Sequence, residues 1–153
     1  MNARLIAKWN SRVKPEDTVY HIGDFCNKGK CRGVERSRKS AVYWESQLNG
    51  KIIHIRGNHD SNNGVKVALE DASIIFSNKL WYLIHKPLLD GSTLPARCSA
   101  VLCGHVHEKW SERFVPGTRI PMINVGVDVR KLAPIKLDEV TGVYHRFLNK
   151  EKE

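Results

Sequence analysis

The sequence has few cysteines, no long hydrophobic run and a shortage of acidic residues. The four cysteines contain no CxxC pair and lack the spacing of a zinc ribbon, which leaves free thiols as the simpler interpretation. Their low density also argues against a disulfide-stapled secreted protein, so we expect a cytoplasmic one. No segment reaches about 18 consecutive apolar residues, and residues 1–10 contain no signal-peptide core, so no membrane association is expected.

The shortage of acidic residues gives the chain a strong positive charge. Lys and Arg number 25 against 16 Asp and Glu, for a formal net charge of +9. Such a charge favours phosphate-bearing partners, including nucleotides and nucleic acids, although an ordinary solvated surface would carry it equally well. The same two interpretations apply to the basic stretch from Lys28 to Lys39. The length of 153 residues, 41% of them hydrophobic, suits one domain spanning residues 1–153.

Strand and helix patterns alternate along the first third of the chain. Residues 1–13 have the apolar spacing of a short helix, and residues 18–22 and 51–56 are β-rich runs that stop at glycine. Residues 32–48 between them have near-helical spacing, which predicts a strand, a helix and a parallel strand. Short apolar runs dominate the second half, where no helix is predicted. The fold class is therefore α/β, a layered sandwich.

Four short motifs follow the predicted strands. They are Gly23-Asp24, the GNHD run of residues 57–60, His85, and the GHVH run of residues 104–107. Together they supply one carboxylate, one amide oxygen and three imidazoles without a thiolate, a ligand set suited to Mn, Fe, Zn or a related divalent ion. A glycine before a ligand lets the loop turn sharply without a Cβ in the way. The motifs predict a metal site.

In this order the motifs resemble motifs two to five of the calcineurin-like metallophosphoesterases, over about residues 15–130. The NVGVD run of residues 124–128 is similar to small bacterial and phage members in particular. The resemblance implies a four-layer α/β/β/α sandwich that hydrolyses a phosphomonoester or phosphodiester with a metal-bound hydroxide. Mn is the expected ion, with Fe, Zn, Ni or Mg as alternatives.

The resemblance also implies roles for individual residues. Asp24 would bridge two metals, and His107 would bind one of them. Asn58, His85 and His105 would complete the site of the other metal. The catalytic pair would be His59, facing the substrate, and Asp60, orienting His59.

One family motif has no match. The family begins with an Asp-x-His motif on its first strand, and residues 1–23 contain Asp17 and His21 only in the wrong order. We therefore expect an N-terminally truncated sandwich with its first strand missing, one well-formed metal site and one incomplete site. A start codon placed too far downstream, a segment from another chain and a natural remnant would each explain this.

The missing strand leaves two alternatives to an efficient enzyme. The first is a weak or inactive remnant that binds one metal together with phosphate-bearing ligands or nucleic acid. The second is an interaction module, since an exposed slot in the sheet could support a homodimer or recruit a partner's strand.

Two pairs of polar residues have a simpler interpretation than ligation. His21 and His54 lie within apolar strands, where a hydrogen-bonded core histidine is the more common case. Asn124 and Asp128 belong either to the periphery of the site or to turn chemistry after a strand, and the turn is favoured.

Overall fold

The computed structural model describes residues 2–26, 40–60 and 64–151, which form three α-helices and two β-sheets. The helices are α1 (Asn2–Asn10), α2 (Ala41–Glu45) and α3 (Leu137–Lys150). The strands are β1 (Thr18–Ile22), β2 (Lys51–Ile55), β3 (Asp71–Phe76), β4 (Lys79–Ile84), β5 (Cys98–Cys103), β6 (Glu112–Phe114) and β7 (Pro121–Asn124). The chain is therefore mixed α/β, as predicted.

The first sheet is the predicted strand, helix and parallel strand. β1 pairs in parallel with β2, from Thr18 opposite Lys51 to Ile22 opposite Ile55. Helix α2 lies between them in sequence, and the hydroxyl of Ser40 accepts a hydrogen bond from an N–H of its first turn. The helix predicted for residues 32–48 is thus confirmed only over Ala41–Glu45, and residues 32–39 lie outside the described residues.

The second sheet has the strand order β3-β4-β5-β7-β6. Its three central strands are parallel, and β3 and β6 are antiparallel edge strands. Side chains alternate between the two faces, as strand geometry requires. Trp81 and Leu83 of β4 therefore pack with Ile55 of the first sheet, whereas Tyr82 packs on the opposite face.

Helix α3 completes the core between the sheets, and the sequence analysis did not predict it. Val140 and Val143 of α3 pack with Leu102 and the other residues that join the two sheets. The opposite face of the second sheet packs against loop residues, among them Leu88 and Trp110. The helical fourth layer of the sandwich stays a prediction. None of the helices in the described ranges is long and apolar enough to cross a membrane.

The outer edge of β1 borders a groove. Within the described residues β1 pairs only with β2. All five residues of β1 line a groove of about 690 Å³, whichever face of the sheet their side chains point to. Leu83, Leu102 and Val140 line it as well. Successive side chains of a strand point to opposite faces, so a groove lined by all of them lies along the strand's edge. The groove extends to Asp24 and His105.

Candidate metal centre

The predicted metal ligands lie at the carboxyl ends of parallel strands. Asp24 follows β1, Asn58 follows β2, His85 follows β4, and His105 and His107 follow β5. The two sheets bring these ends together, at the position where open α/β sheets usually bind ligands. The sequence order alone gave no measure of how closely they approach.

His85 is the hub of the cluster. Its Nε2 lies 2.9 Å from Oδ1 of Asn58, 3.2 Å from Nδ1 of His105 and 3.3 Å from Oδ2 of Asp24. The imidazole is buried, and its Nδ1 lies 2.9 Å from the carbonyl oxygen of Ile22. Four of the five predicted metal ligands therefore converge on one point.

Two glycines let the ligands approach so closely. A Cβ on Gly23 would overlap the imidazole of His85, and a Cβ on Gly57 would overlap the backbone and carboxylate of Asp24. Gly23 also has a φ of +78°, which side chains rarely tolerate. The motif glycines are thus required by close packing around the ligands as well as by the turns.

Asp60 holds two of the ligand loops together. Its fully buried carboxylate accepts hydrogen bonds from the N–H groups of Gly57 at 2.8 Å, Asp24 at 3.0 Å and Phe25 at 3.0 Å. A carboxylate with three backbone donors fixes the backbone that carries them. This supports a positioning role for Asp60 and leaves the predicted contact to His59 untested.

His59 is exposed beside the cluster. Its N–H donates a hydrogen bond to Oδ1 of Asp24, at 2.9 Å. His59 directly follows Asn58, one of the predicted ligands. The role of His59 stays a prediction.

The electrostatics favour the neutral form of one predicted ligand, His105. Desolvation lowers the pKa of His105, and the neighbouring His85 and Lys86 lower it further, while Asp24 acts in the opposite direction. A neutral imidazole has the lone pair that metal binding requires. His105 and Asp24 also have positive φ values of 70° and 57°, a strained conformation that is found often at functional sites.

His107 belongs to a second, exposed group. Its Nδ1 lies 2.8 Å from Oδ2 of Asp128, and Glu108 offers a carboxylate oxygen nearby. The sequence analysis interpreted Asp128 as a turn residue. The resemblance of the NVGVD run to small family members was the sequence signal that linked Asp128 to the site.

Comparison with known proteins gives the family of this domain. A sequence profile for the calcineurin-like phosphoesterase superfamily domain matches residues 1–132. The chain belongs to this superfamily. It is similar to the uncharacterized protein MJ1445 of Methanocaldococcus jannaschii, with 32% identity over 147 residues that cover 95% of this chain and 76% of that protein. It also resembles the crystal structure of a protein of unknown function, AQ665, from Aquifex aeolicus, with a TM-score of 0.66, 24% identity, and coverage of 93% and 84% of the two chains.

Divalent metals are the cofactors of calcineurin-like phosphoesterases. The arrangement of donor atoms around His85 suits such an ion. Because the Nδ1 of His85 faces a carbonyl oxygen, a neutral His85 carries its proton there and a lone pair on Nε2. That lone pair faces oxygens of Asn58 and Asp24. An imidazole lone pair, an amide oxygen and a carboxylate oxygen that face one another form a donor set that suits a divalent cation. The backbone hydrogen bond to the far nitrogen is also the usual arrangement behind a metal-bound histidine.

Two other histidines of the calcineurin-like domain lie behind the cluster. His54 is buried, with its Nε2 3.0 Å from a carboxylate oxygen of Glu45. The ring of His21 packs against those of Phe25 and His54, with centroids 5.0 and 5.6 Å away. Burial, followed by the charge of His54, lowers the pKa of His21 to about 4. His54 therefore fits the interpretation of a hydrogen-bonded core histidine, whereas His21 is only partly buried, lines the groove and leaves a buried Nδ1 without a hydrogen-bond partner among the described residues.

Proposed function

We propose that the protein hydrolyses a phosphomonoester or phosphodiester with the help of Mn²⁺ or a similar divalent ion. The observation that carries the proposal is the convergence of Asp24, Asn58 and His105 on the Nε2 of buried His85. These four residues would hold one ion. A divalent ion bound there supplies positive charge that polarises a phosphoester and activates water.

The protein's own groups would do the remaining work. Asp60 fixes the loops that carry Asp24 and Gly57 through three backbone hydrogen bonds, so the ligands need not reorganise during the reaction. His59 would donate a hydrogen bond to the phosphate or a proton to the leaving oxygen. His107, with Asp24, would contribute to a second, less complete ion site. The two facing sheets support assignment of the whole to the four-layer sandwich.

The test combines metal content with turnover. Metal-depleted protein is reconstituted with Mn²⁺, the bound metal is counted, and hydrolysis of p-nitrophenyl phosphate and bis-p-nitrophenyl phosphate is measured. We expect His59→Ala to keep its metal and lose roughly 10²- to 10⁴-fold in kcat. His105→Ala should lose both metal and turnover. His145→Ala, an exposed histidine of α3, is the matched control and should behave as the parent protein.

A second candidate is a weakly active remnant that binds one ion and phosphate-bearing ligands or nucleic acid. The observation in its favour is that His107 lies apart from the other four predicted ligands. It pairs with Asp128, whereas the other four form the cluster around His85. One bound ion per chain, no turnover of either ester, and salt-sensitive binding of oligonucleotides would favour it over the enzyme.

We also propose that a second copy of the chain docks along the outer edge of β1. Unpaired strand edges recruit other strands, and the groove beside β1 has apolar walls at Leu83 and Leu102. Val19→Lys places a charge on this edge and should convert a dimer to a monomer in sedimentation velocity. Val42→Lys, on the exposed face of α2, is the matched control and should leave the mass unchanged. A parent protein that stays monomeric at every concentration excludes the dimer.

A further inference from the structure

Two loops meet beside the metal cluster through one side-chain pair. His107 begins the short 3-10 helix His107–Lys109 after β5, and Asp128 lies in the turn after β7. Their Nδ1 and Oδ2 atoms are 2.8 Å apart although the residues are 21 apart in sequence. Both residues also line the groove that reaches Asp24.

A buried side chain underneath ties the same two loops together. Asn124, the last residue of β7, is fully buried, and its Nδ2 donates hydrogen bonds to the carbonyl oxygens of His107 at 2.7 Å and Trp110 at 2.8 Å. Its Oδ1 accepts the N–H of Gly126 at 2.9 Å. One amide therefore fixes the backbone of His107 on one side and the start of the Asp128 turn on the other.

The hydrogen bonds of buried Asn124 explain how the exposed pair of His107 and Asp128 can be ordered. The side chains of His107 and Asp128 are 74% and 40% exposed. Pairs that are so exposed usually contribute little, because two mobile side chains must be ordered to form them. Here Asn124 has already fixed both backbones. It also holds His107 at a φ of 48°, which a residue other than glycine adopts only when its surroundings enforce it.

We propose that Asn124 and Asp128 are positioning residues for His107. Asn124 sets the backbone, and Asp128 accepts the proton of Nδ1, which leaves the lone pair on Nε2 available for ligation. The inference rests on the proposed function only in that His107 then serves as a ligand of the second ion. Side chains with this relation to a metal-bound histidine commonly change metal affinity 10- to 100-fold when they are removed.

The first test uses protein without metal and needs no activity. Long-range ¹H–¹⁵N correlation spectra at about pH 8, where an unperturbed histidine is neutral, report which ring nitrogen of His107 carries the proton. We expect the Nδ1–H form in the parent protein. Asp128→Ala should shift His107 toward the Nε2–H form, and Asp128→Asn, which keeps an acceptor oxygen, should retain Nδ1–H. Asp138→Ala, an exposed acid of α3, is the matched control.

The second test measures Mn²⁺ binding by titration. Asp128→Ala should weaken the weaker class of Mn²⁺ sites roughly 10- to 100-fold and leave the tighter class unchanged. Asn124→Asp removes both donors and should weaken the same class. If Asn124→Asp does not fold, the comparison of Asp128→Ala with Asp128→Asn still tests the proposal.

The two proposals fail in different ways. A parent-like tautomer of His107 in folded Asp128→Ala, or unchanged Mn²⁺ binding in that variant, overturns the positioning role whatever the activity. A shifted tautomer and weakened Mn²⁺ binding, in a protein that hydrolyses neither aryl phosphate, support the positioning role and overturn the phosphoesterase.

Discussion

The carboxylate of Asp60 accepts a hydrogen bond from the N–H of Asp24, although the residues are 36 apart in sequence. Two further N–H donors, from Gly57 and Phe25, meet the same buried carboxylate. A neutral amide in this place can keep only part of the three interactions and turns its own N–H₂ toward a donor. Asp60 thus links the geometry of the metal loops to the stability of the fold.

We predict that Asp60→Asn lowers the free energy of unfolding by about 1.5–3 kcal/mol, the usual contribution of a hydrogen bond to a charged group. Urea denaturation of the metal-free protein measures it. Asp90→Asn also alters a carboxylate with hydrogen bonds, to exposed Ser92, and as a surface change should stay within about 0.5 kcal/mol. If Asp60→Asn lost turnover at parent-like stability, a catalytic role would replace the positioning one.

Gly57 offers a purely steric prediction. Because an added Cβ would overlap the backbone and carboxylate of Asp24, Gly57→Ala should displace that ligand and abolish tight Mn²⁺ binding. Metal content after dialysis against Mn²⁺ measures the effect. Gly142→Ala is the control, since it lies in α3 with only the flexible end of Arg146 nearby, and should stabilise the protein by about 0.5–1 kcal/mol. Retention of metal by Gly57→Ala would contradict the packing described for the site.

Gly142 helps to explain why helix α3 was not predicted from the sequence. Thr141 and Gly142 are weak helix formers and Lys136 is an unusual residue at a helix start, so the acidic first turn with Asp138 and Glu139 was not recognised as the start of α3. It forms because Val140 and Val143 are buried between the two sheets. The sequence shows the helical spacing of these valines and their apolar neighbours, but it does not show that two sheets bury them.

The site was more predictable than the helix. Parallel strands that end in polar loops bring those loops to one edge, so the convergence of Asp24, His85 and His105 followed from the motifs. The pairing of His107 with Asp128 did not follow, because turn chemistry explains an Asp after a strand equally well. The backbone contacts of Asp60 were hidden too, since a sequence does not show which N–H groups a side chain reaches.

His21 predicts a dependence of stability on pH. Burial holds its pKa at about 4, below the ordinary 6.5, so the unfolded state takes up a proton first as the pH falls. The stability that His21 contributes is therefore complete above about pH 6.5 and is lost as the pH falls to about 4. The loss should be about 3 kcal/mol, measured by urea denaturation of metal-free protein. His21→Phe, which keeps a ring against Phe25, should remove most of this slope. If the stability of His21→Phe depended on pH as strongly as that of the parent protein, another group would cause the dependence.

Binding of Mn²⁺ should couple to stability through the His85 cluster. An ion that binds only the folded state stabilises it by about 2.7 kcal/mol when its free concentration is a hundredfold above Kd. We expect such an increase in the parent protein, reversed by a chelator. His105→Ala removes a ligand from the cluster and should abolish most of the increase. His107→Ala should keep most of it, because His107 lies in the separate group with Asp128. If His107→Ala removed the increase and His105→Ala did not, the ion would bind in the exposed group of His107 and Asp128 instead of the His85 cluster.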